Sequence, residues 1–112
     1  MDDYQNSVRR TMPNEGRVVD SLQLATLALG LAGEAGEVVE HVKKHVGHGK
    51  GLDKEKVEAE LGDVLWYVAA LCQALGLSLS DVAERNVAKL WRRYPDGFPF
   101  KVNGPASMDS ER

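Results

Sequence analysis

The stretch Glu60-Leu61-Gly62-Asp63-Val64-Leu65-Trp66-Tyr67 lies within the clearest helical pattern of this 112-residue chain. The pattern predicts a helix from about Lys54 to Leu75, with Asp53 as its N-cap. Glu60 and Asp63 are three residues apart, so on that helix their side chains point the same way. The apolar positions of the pattern are Val57, Leu61, Val64, Leu65, Val68, Leu71, Cys72 and Leu75.

A second pair of acids, in Glu34-Ala35-Gly36-Glu37, repeats this spacing, and 22 residues separate Glu37 from Glu60. The earlier pair falls in another predicted helix, from about Val19 to Val46. Four carboxylates that point from two neighbouring helices repel one another unless a cation lies between them. Mg²⁺ takes carboxylate oxygens and often connects a protein to a phosphate, and Mn²⁺ is a possible substitute. The acids Glu34, Glu37, Glu60 and Asp63 are therefore predicted to bind metal in an enzyme that acts on a nucleotide phosphate.

The rest of the chain predicts two further helices and no strand. Residues 2–11 favour a short helix that ends before Pro13 and Gly16. Ser78-Leu79-Ser80-Asp81 has the form of a capping box that opens a helix reaching about Arg93, before Pro95. We therefore expect an all-α protein with one domain over residues 1–98, and an extended or disordered tail over residues 99–112.

The helix predicted from Val19 to Val46 is apolar over most of its circumference. One stripe runs through Leu24, Ala28, Leu31, Ala35, Val38 and Val42, and a second through Leu22, Ala25, Leu29, Ala32 and Val39. A helix of this kind is surrounded by other elements. In so small a protein the extra neighbours would come from another subunit, which predicts an oligomer.

Glycines recur every three residues along this helix, at Gly30, Gly33 and Gly36. Each costs about 1 kcal/mol relative to alanine in a helix interior. They indicate either the close approach of another helix or a ligand beside the acids, or tolerated weak positions.

The last predicted helix carries a polar face that suits an anion. Asn86 lies in line with apolar residues and needs a hydrogen-bond partner if it points inward. Lys89 and Arg93 follow at positions that bring cations near an anion held by the acids, although an ordinary solvated basic face has the same spacing. Tyr67 lies one turn after Asp63, where its hydroxyl group would reach a ligand on the same face.

Composition excludes several classes of protein. The net charge of −3 argues against a general binder of nucleic-acid polymers or anionic membranes. The start Met1-Asp2-Asp3 is unlike a secretory signal, the run Leu22–Ala35 is too short and polar to span a bilayer, and a lone Cys72 suits a reducing cytoplasm. We therefore expect a cytoplasmic protein.

Two further motifs are interpreted as ordinary structure. Gly47-His48-Gly49-Lys50-Gly51 lacks the spacing and the Ser or Thr of a phosphate-binding loop, so it is interpreted as a flexible connection. His41, His45 and His48 are interpreted as solvated residues near a helix end rather than as zinc ligands, because no cysteine or catalytic glutamate accompanies them.

The paired acidic motifs resemble the signature of the MazG-like all-α nucleoside triphosphate pyrophosphohydrolases. The similarity covers about residues 20–98 and includes the stretches 30–37, 60–67 and 93–98. It implies an antiparallel four-helix-type bundle assembled as a dimer or tetramer, with Mg²⁺ on the four acids. It also implies cleavage of a nucleoside triphosphate to the monophosphate and pyrophosphate, in house-cleaning of the nucleotide pool, with Tyr67, Asn86 and Lys89 on the metal-bound phosphate or the substrate.

One position departs from the family pattern. Many members carry two adjacent acids at the start of the first motif, whereas Gly33 precedes Glu34 here. The number of metal ions and the identity of the general base therefore stay open, as do the preferred base and sugar. In the expected chemistry Mg²⁺ bridges phosphate oxygens and lowers the pKa of bound water, while Lys89, with Arg93, offsets charge on the leaving pyrophosphate.

Two alternatives remain beside this interpretation. A phosphoribosyl-ATP pyrophosphatase would use the same acids, although the loop glycines and the stretch Tyr94–Phe98 resemble that branch less. A non-catalytic helical oligomer would use the acids to hold metal for structure or regulation.

Overall fold

The computed structural model describes residues 2–17, 20–49 and 51–97. Within these ranges the chain forms α1 (Asp2–Arg9), a 3₁₀ helix (Pro13–Gly16), α2 (Ser21–His48), α3 (Lys54–Ala74) and α4 (Leu79–Arg93). The described ranges hold no β-strand, only an isolated bridge between Pro95 and Gly97. The all-α class predicted from the sequence is confirmed, and the tail predicted for residues 99–112 lies outside the described residues.

Local hydrogen bonds explain where the two long helices begin. The Asp20 carboxylate accepts the Gln23 backbone N–H at 2.8 Å, and the Gln23 side chain accepts the Asp20 N–H at 3.0 Å, which makes a capping box for α2. Asp53 accepts the Lys56 N–H at 3.2 Å and caps α3, as predicted. Each cap satisfies backbone donors that the first helical turn leaves without partners.

Both long helices end at a glycine with a left-handed backbone. Gly49 follows α2 with φ of +66°, and Gly76 follows α3 with φ of +71°. Glycine adopts this conformation without a steric penalty, so it ends a helix at low cost. The Leu77 N–H then donates to the Cys72 carbonyl at 2.8 Å, which closes the end of α3 as the sequence predicts for Gly76.

α2 and α3 form an antiparallel pair. The half-buried positions on α2 recur every three or four residues, and every other described residue of α2 is exposed. Gly30 lies against Tyr67, and Glu34 lies against Glu60. Residue numbers therefore increase along α2 while those of the facing α3 residues decrease, so the two helices run in opposite directions. We call this contact line the seam. On α2 it consists of Leu24, Leu27, Gly30, Leu31, Glu34, Val38 and His41.

The seam uses only part of the two apolar stripes predicted for α2. The second stripe stays exposed in the single chain, where Leu22 is 76% and Leu29 is 73% accessible. The expectation of a helix enclosed on most sides is therefore wrong for the chain alone, because α3 covers one side of α2. Self-association, which the same pattern suggested, stays a prediction.

α2 is also long and apolar enough, by length and composition alone, to cross a membrane. The helix Ser21–His48 has 28 residues, so it is longer than the run judged too short from the sequence. Core helices of soluble proteins and signal sequences meet the same criterion. The absence of a membrane partner therefore stays a prediction.

The small apolar core lies where α1 packs on the C-terminal half of α3. It consists of Val8, Met12, Ala69, Ala70, Cys72 and Leu79. Cys72 is a buried free thiol, as predicted, and burial raises its pKa. Buried Gln5 donates to the Leu77 carbonyl at 2.9 Å and accepts the Leu79 N–H at 2.7 Å. α1 thereby ties the α3–α4 connection to the core.

The chain divides into two compact units, one ending at Leu79 and one beginning at Ser80. The first contains α1, α2 and α3, and the second contains nearly all of α4. The expectation of a single domain over residues 1–98 stays a prediction.

Candidate metal and nucleotide site

Three of the four predicted metal ligands meet at the seam. Carboxylate oxygens of Glu34, Glu60 and Asp63 all lie within 4.8 Å of one another. Glu34 and Glu60 are half-buried, whereas Asp63 is exposed at the side of the seam. The helical spacing places both members of each pair on nearby faces, and the antiparallel packing then brings the pairs together.

The ionised form of the Glu34 carboxyl group is electrostatically unfavourable. Its pKa is raised, first by a side-chain hydrogen bond with Glu60, then by desolvation and by the negative charges of Asp63, Glu60 and Glu37. That hydrogen bond requires a proton on one of the two groups. When both are ionised neither can donate, and Glu34 Oε2 is shielded from solvent without a hydrogen-bond partner among the described residues.

These features fit a divalent cation. A cluster of carboxylate oxygens is the donor set that Mg²⁺ and Mn²⁺ prefer, and a cation would satisfy the shielded oxygen of Glu34. Glu34, Glu60 and Asp63 are the residues that would hold it.

Glu37 belongs to an adjoining group. One ligand atom each from Glu37, His41 and Glu60 lie within 4.8 Å of one another, so Glu60 is common to both clusters. The interpretation of His41 as a solvated residue near a helix end is wrong. α2 continues to His48, and residue 41 falls on the seam, where the imidazole is half-buried.

Two aromatic rings form a wall beside the acids. Trp66 and Tyr67 contact edge to face, with ring centroids 5.0 Å apart and an interplanar angle of 80°. The Trp66 indole Nε1–H donates to Thr11 Oγ1 at 2.9 Å, and the Thr11 hydroxyl donates to the Val8 carbonyl at 2.7 Å. This chain of bonds fixes the indole to α1.

Gly30 explains how Tyr67 reaches its position. A Cβ atom built on Gly30 would lie 2.2 Å from Tyr67 Cε1, far inside van der Waals contact, so only glycine admits the ring there. The close approach predicted for the glycines is confirmed at this position. By contrast, among the described residues no atom beyond the adjacent turns of α2 itself lies within 4 Å of a Cβ built on Gly33 or Gly36.

Two cavities meet at the aromatic pair. An acidic cavity of about 350 Å³ is lined by Glu34, Asp63, Trp66 and Tyr67. A mostly apolar cavity of about 350 Å³ shares the two aromatic residues. Its other lining residues are Met12, Pro13, Leu22, Gln23, Thr26 and Leu27.

α1 contributes a residue that the sequence did not identify. The pKa of Tyr4 is raised by desolvation and then by the negative charge of Asp63. The phenol therefore lies close enough to the acidic cluster to sense its charge. No sequence signal marked it, because the contact depends on how α1 packs against α3.

The predicted substrate residues of α4 fall in the second compact unit. Asn86, Lys89 and Arg93 are all exposed on α4, so the inward position expected for Asn86 is not seen. Their approach to the acids stays a prediction. Tyr67, by contrast, lines the acidic cavity as its spacing from Asp63 suggested.

Fold and site together define an all-α protein with a carboxylate cluster suited to a divalent cation beside an aromatic-walled cavity. Residues 22–98 match the MazG nucleotide pyrophosphohydrolase domain. The chain belongs to this family. It is also 42% identical over 83 residues to the Gene 37 protein of Mycobacterium phage L5. The aligned region covers 70% of this chain and 73% of that protein. No solved structure gives a significant match.

Proposed function

We propose that the protein is a Mg²⁺-dependent nucleoside triphosphate pyrophosphohydrolase that forms a nucleoside monophosphate and pyrophosphate. The observation that carries the proposal is the cluster of Glu34, Glu60 and Asp63, in which the shielded Oε2 atom of Glu34 has no hydrogen-bond partner within the part of the chain that the structure describes. Family membership supports the class of reaction. Such an enzyme would act in the cytoplasm, where it would remove unwanted nucleotides from the pool.

The two adjoining cavities suit the two halves of a nucleotide. The triphosphate would lie in the acidic cavity, where a bound cation offsets the charges of Glu34 and Asp63. The base and sugar would extend past Trp66 and Tyr67 into the apolar cavity. At that cavity Gln23 and Thr26 offer polar atoms, and an aromatic ring offers a stacking surface that accepts any base.

Each residue group has a distinct part in the expected reaction. The acids would hold the cation, and a cation bound there would draw negative charge from the phosphate oxygens and lower the pKa of water. The Tyr67 hydroxyl would orient the phosphate chain. Lys89, assisted by Arg93, would donate hydrogen bonds to the leaving pyrophosphate as its charge develops, and Asn86 would contact the substrate.

The metal requirement tests this proposal. Nucleotide cleavage should need Mg²⁺ or Mn²⁺, and Glu37→Gln or Asp63→Asn should abolish it while circular dichroism shows unchanged helix content. The substrate panel should contain ribo- and deoxyribonucleoside triphosphates and phosphoribosyl-ATP. Full turnover in excess EDTA would contradict the proposal, and exclusive cleavage of phosphoribosyl-ATP would favour the alternative branch.

We also propose that copies of the chain associate through the exposed apolar side of α2. Leu22, Leu29 and Val39 belong to the second apolar stripe of α2 and are each at least 62% exposed, and single chains rarely expose large contiguous apolar surfaces. A second copy of the chain that covers α2 would bury them in a dimer or tetramer. Analytical ultracentrifugation at micromolar concentration should give a multimer mass, and a monomer mass would contradict this.

A further inference from the structure

The segment of residues 2–17 forms part of the apolar cavity, although it precedes the domain matched over residues 22–98. It contributes Met12 and Pro13 to the lining, together with Trp66 of the matched domain. Met12 is only 7% exposed, so its side chain is packed in place, whereas Pro13 is exposed. The cavity is therefore assembled from the matched domain and from a segment that lies outside it.

Backbone strain is concentrated directly after these two lining residues. Asn14 and Glu15 have φ of +52° and +54°, and in the part of the chain that the structure describes no other residue except glycine has a positive φ. Asparagine adopts this left-handed conformation more readily than most residues, but for a glutamate it is unfavourable. Strained residues persist only where the surrounding structure holds them, and they are concentrated at active sites and ligand clamps. The turn is therefore a candidate positioning element for the cavity wall.

Polar contacts and packing hold the strained turn in place. The Glu15 N–H donates to the Met12 carbonyl at 3.1 Å, and Glu15 Oε1 lies 3.2 Å from Arg9 Nη1 in an ion pair. Gly16 is buried, and a Cβ built on it would lie 2.7 Å from Gln73 Cγ and 3.2 Å from Met12 Sδ. The turn is thus fastened to α1, to α3 and to the Met12 side chain, so its backbone fixes where that side chain lies.

We infer that Met12 and Pro13 contact the base of the bound nucleotide, and that the turn Pro13–Gly16 positions them for this contact. The inference rests on the proposed function for the identity of the ligand. The apolar cavity shares Trp66 and Tyr67 with the acidic cavity, so a nucleotide whose phosphates lie at the acids would extend its base there. A thioether and a proline ring offer apolar contact area without charge, so they suit the face of a base rather than a phosphate. The contact should therefore strengthen the binding of different bases alike.

Isothermal titration calorimetry on the full chain, with Mg²⁺ present, tests this contact. The ligands are the non-hydrolysable α,β-methylene analogues of ATP and CTP and, as a ligand without a base, inorganic triphosphate. Met12→Ala should raise the Kd of both analogues about tenfold, because the base would lose contact with about two methylene-sized groups. The same change should alter the Kd of inorganic triphosphate less than about twofold. In hydrolysis of a natural triphosphate, Met12→Ala should raise KM more than it lowers kcat.

A control variant separates the base contact from a general loss of structure. Cys72 belongs to the same buried core as Met12 but does not line the cavity, so Cys72→Ala should keep the wild-type Kd for all three ligands. A disturbed fold would weaken inorganic triphosphate as much as the analogues. Pro13→Ala changes an exposed lining residue and should raise the Kd of the analogues about threefold. It decides the question if circular dichroism shows that Met12→Ala unfolds the chain.

Two substitutions at Glu15 test the turn itself. Proline has φ near −65° and no N–H, so Glu15→Pro cannot keep the left-handed backbone or the bond to the Met12 carbonyl. It should weaken analogue binding about as much as Met12→Ala. Glycine accepts a positive φ, so Glu15→Gly should lose much less affinity than Glu15→Pro. Equal losses in the two variants would mean that the left-handed backbone does not position the wall.

The outcomes distinguish this inference from the proposed function. Wild-type affinity for the analogues in Met12→Ala and Pro13→Ala, or an equal loss of affinity for inorganic triphosphate, would overturn the base contact. Analogue binding that depends on Met12, without cleavage of any natural nucleoside triphosphate, would refute the proposed hydrolysis alone. Cleavage by a wild type whose analogue affinity does not depend on either residue would refute the base contact alone. Failure of the wild type to bind either analogue would refute both.

Discussion

Replacing Gly30 with alanine should have two opposing effects on stability. The added methyl group should disturb the packing of Tyr67, whereas the loss of a glycine should stabilise the helix α2. The added Cβ would lie 2.2 Å from Cε1 and 2.4 Å from Cζ of Tyr67. Carbon atoms normally approach to about 3.5–4.0 Å, so the ring must retreat by more than about 1 Å. Overpacking of this kind costs about 1–3 kcal/mol, and it opposes a gain of about 1 kcal/mol from replacing glycine within a helix.

A double-mutant cycle isolates the packing cost from the helix gain. In the wild-type background Gly30→Ala should be neutral or destabilising, whereas in a Tyr67→Leu background it should stabilise by about 1 kcal/mol. Urea unfolding of the four proteins in EDTA should therefore yield a coupling free energy of about 1–3 kcal/mol. Equal effects of Gly30→Ala in both backgrounds, within about 0.5 kcal/mol, would refute the close contact.

Three other substitutions, the last with a matched control variant, give further predictions. The raised pKa of Glu34 means that its contribution to stability is present below the ordinary carboxyl pKa and is lost as the pH rises through the raised value. Glu34→Gln should therefore raise the melting temperature in EDTA at pH 7. Mg²⁺ should then raise the melting temperature of this variant less than that of the wild type. A lower melting temperature of the variant in EDTA would contradict this. Thr11→Val removes the acceptor of the Trp66 indole and should cost about 0.5–1.5 kcal/mol in urea unfolding, whereas an unchanged midpoint would mean that the bond contributes nothing. Lys89→Ala should lower kcat roughly ten- to more than a hundredfold with a smaller change in KM. Arg92 lies about 100° around the helix from Arg93, so Arg92→Ala should leave the activity nearly unchanged. The reverse pattern would show that the other face of α4 is functional.

The periodicity of the chain predicted the part of the site that two helices create. Spacing alone put Glu60 and Asp63 on one helix face, and the same spacing paired Glu34 with Glu37. The capping residue Asp53 and the terminating glycine Gly76 fixed the ends of α3. Local sequence determines these features, so they could be read without a structure.

Contacts between distant segments could not be read in the same way. The bond from Trp66 to Thr11 joins residues 55 positions apart, and no local pattern pairs them. The half-buried position of His41 depends on the register of α2 against α3, which the periodicity leaves undetermined. The proximity of Tyr4 to Asp63 likewise follows from how α1 docks.

The course of hydrolysis of one nucleoside triphosphate, followed by ³¹P nuclear magnetic resonance, tests the proposed reaction most directly. With Mg²⁺ present, the triphosphate signals should give way to one monophosphate and one pyrophosphate in equal amounts, without orthophosphate. Asp63→Asn, measured alongside, should leave the triphosphate unchanged. Formation of a nucleoside diphosphate and orthophosphate would contradict cleavage between the α- and β-phosphates, and an unchanged spectrum for every common nucleoside triphosphate would contradict the activity itself.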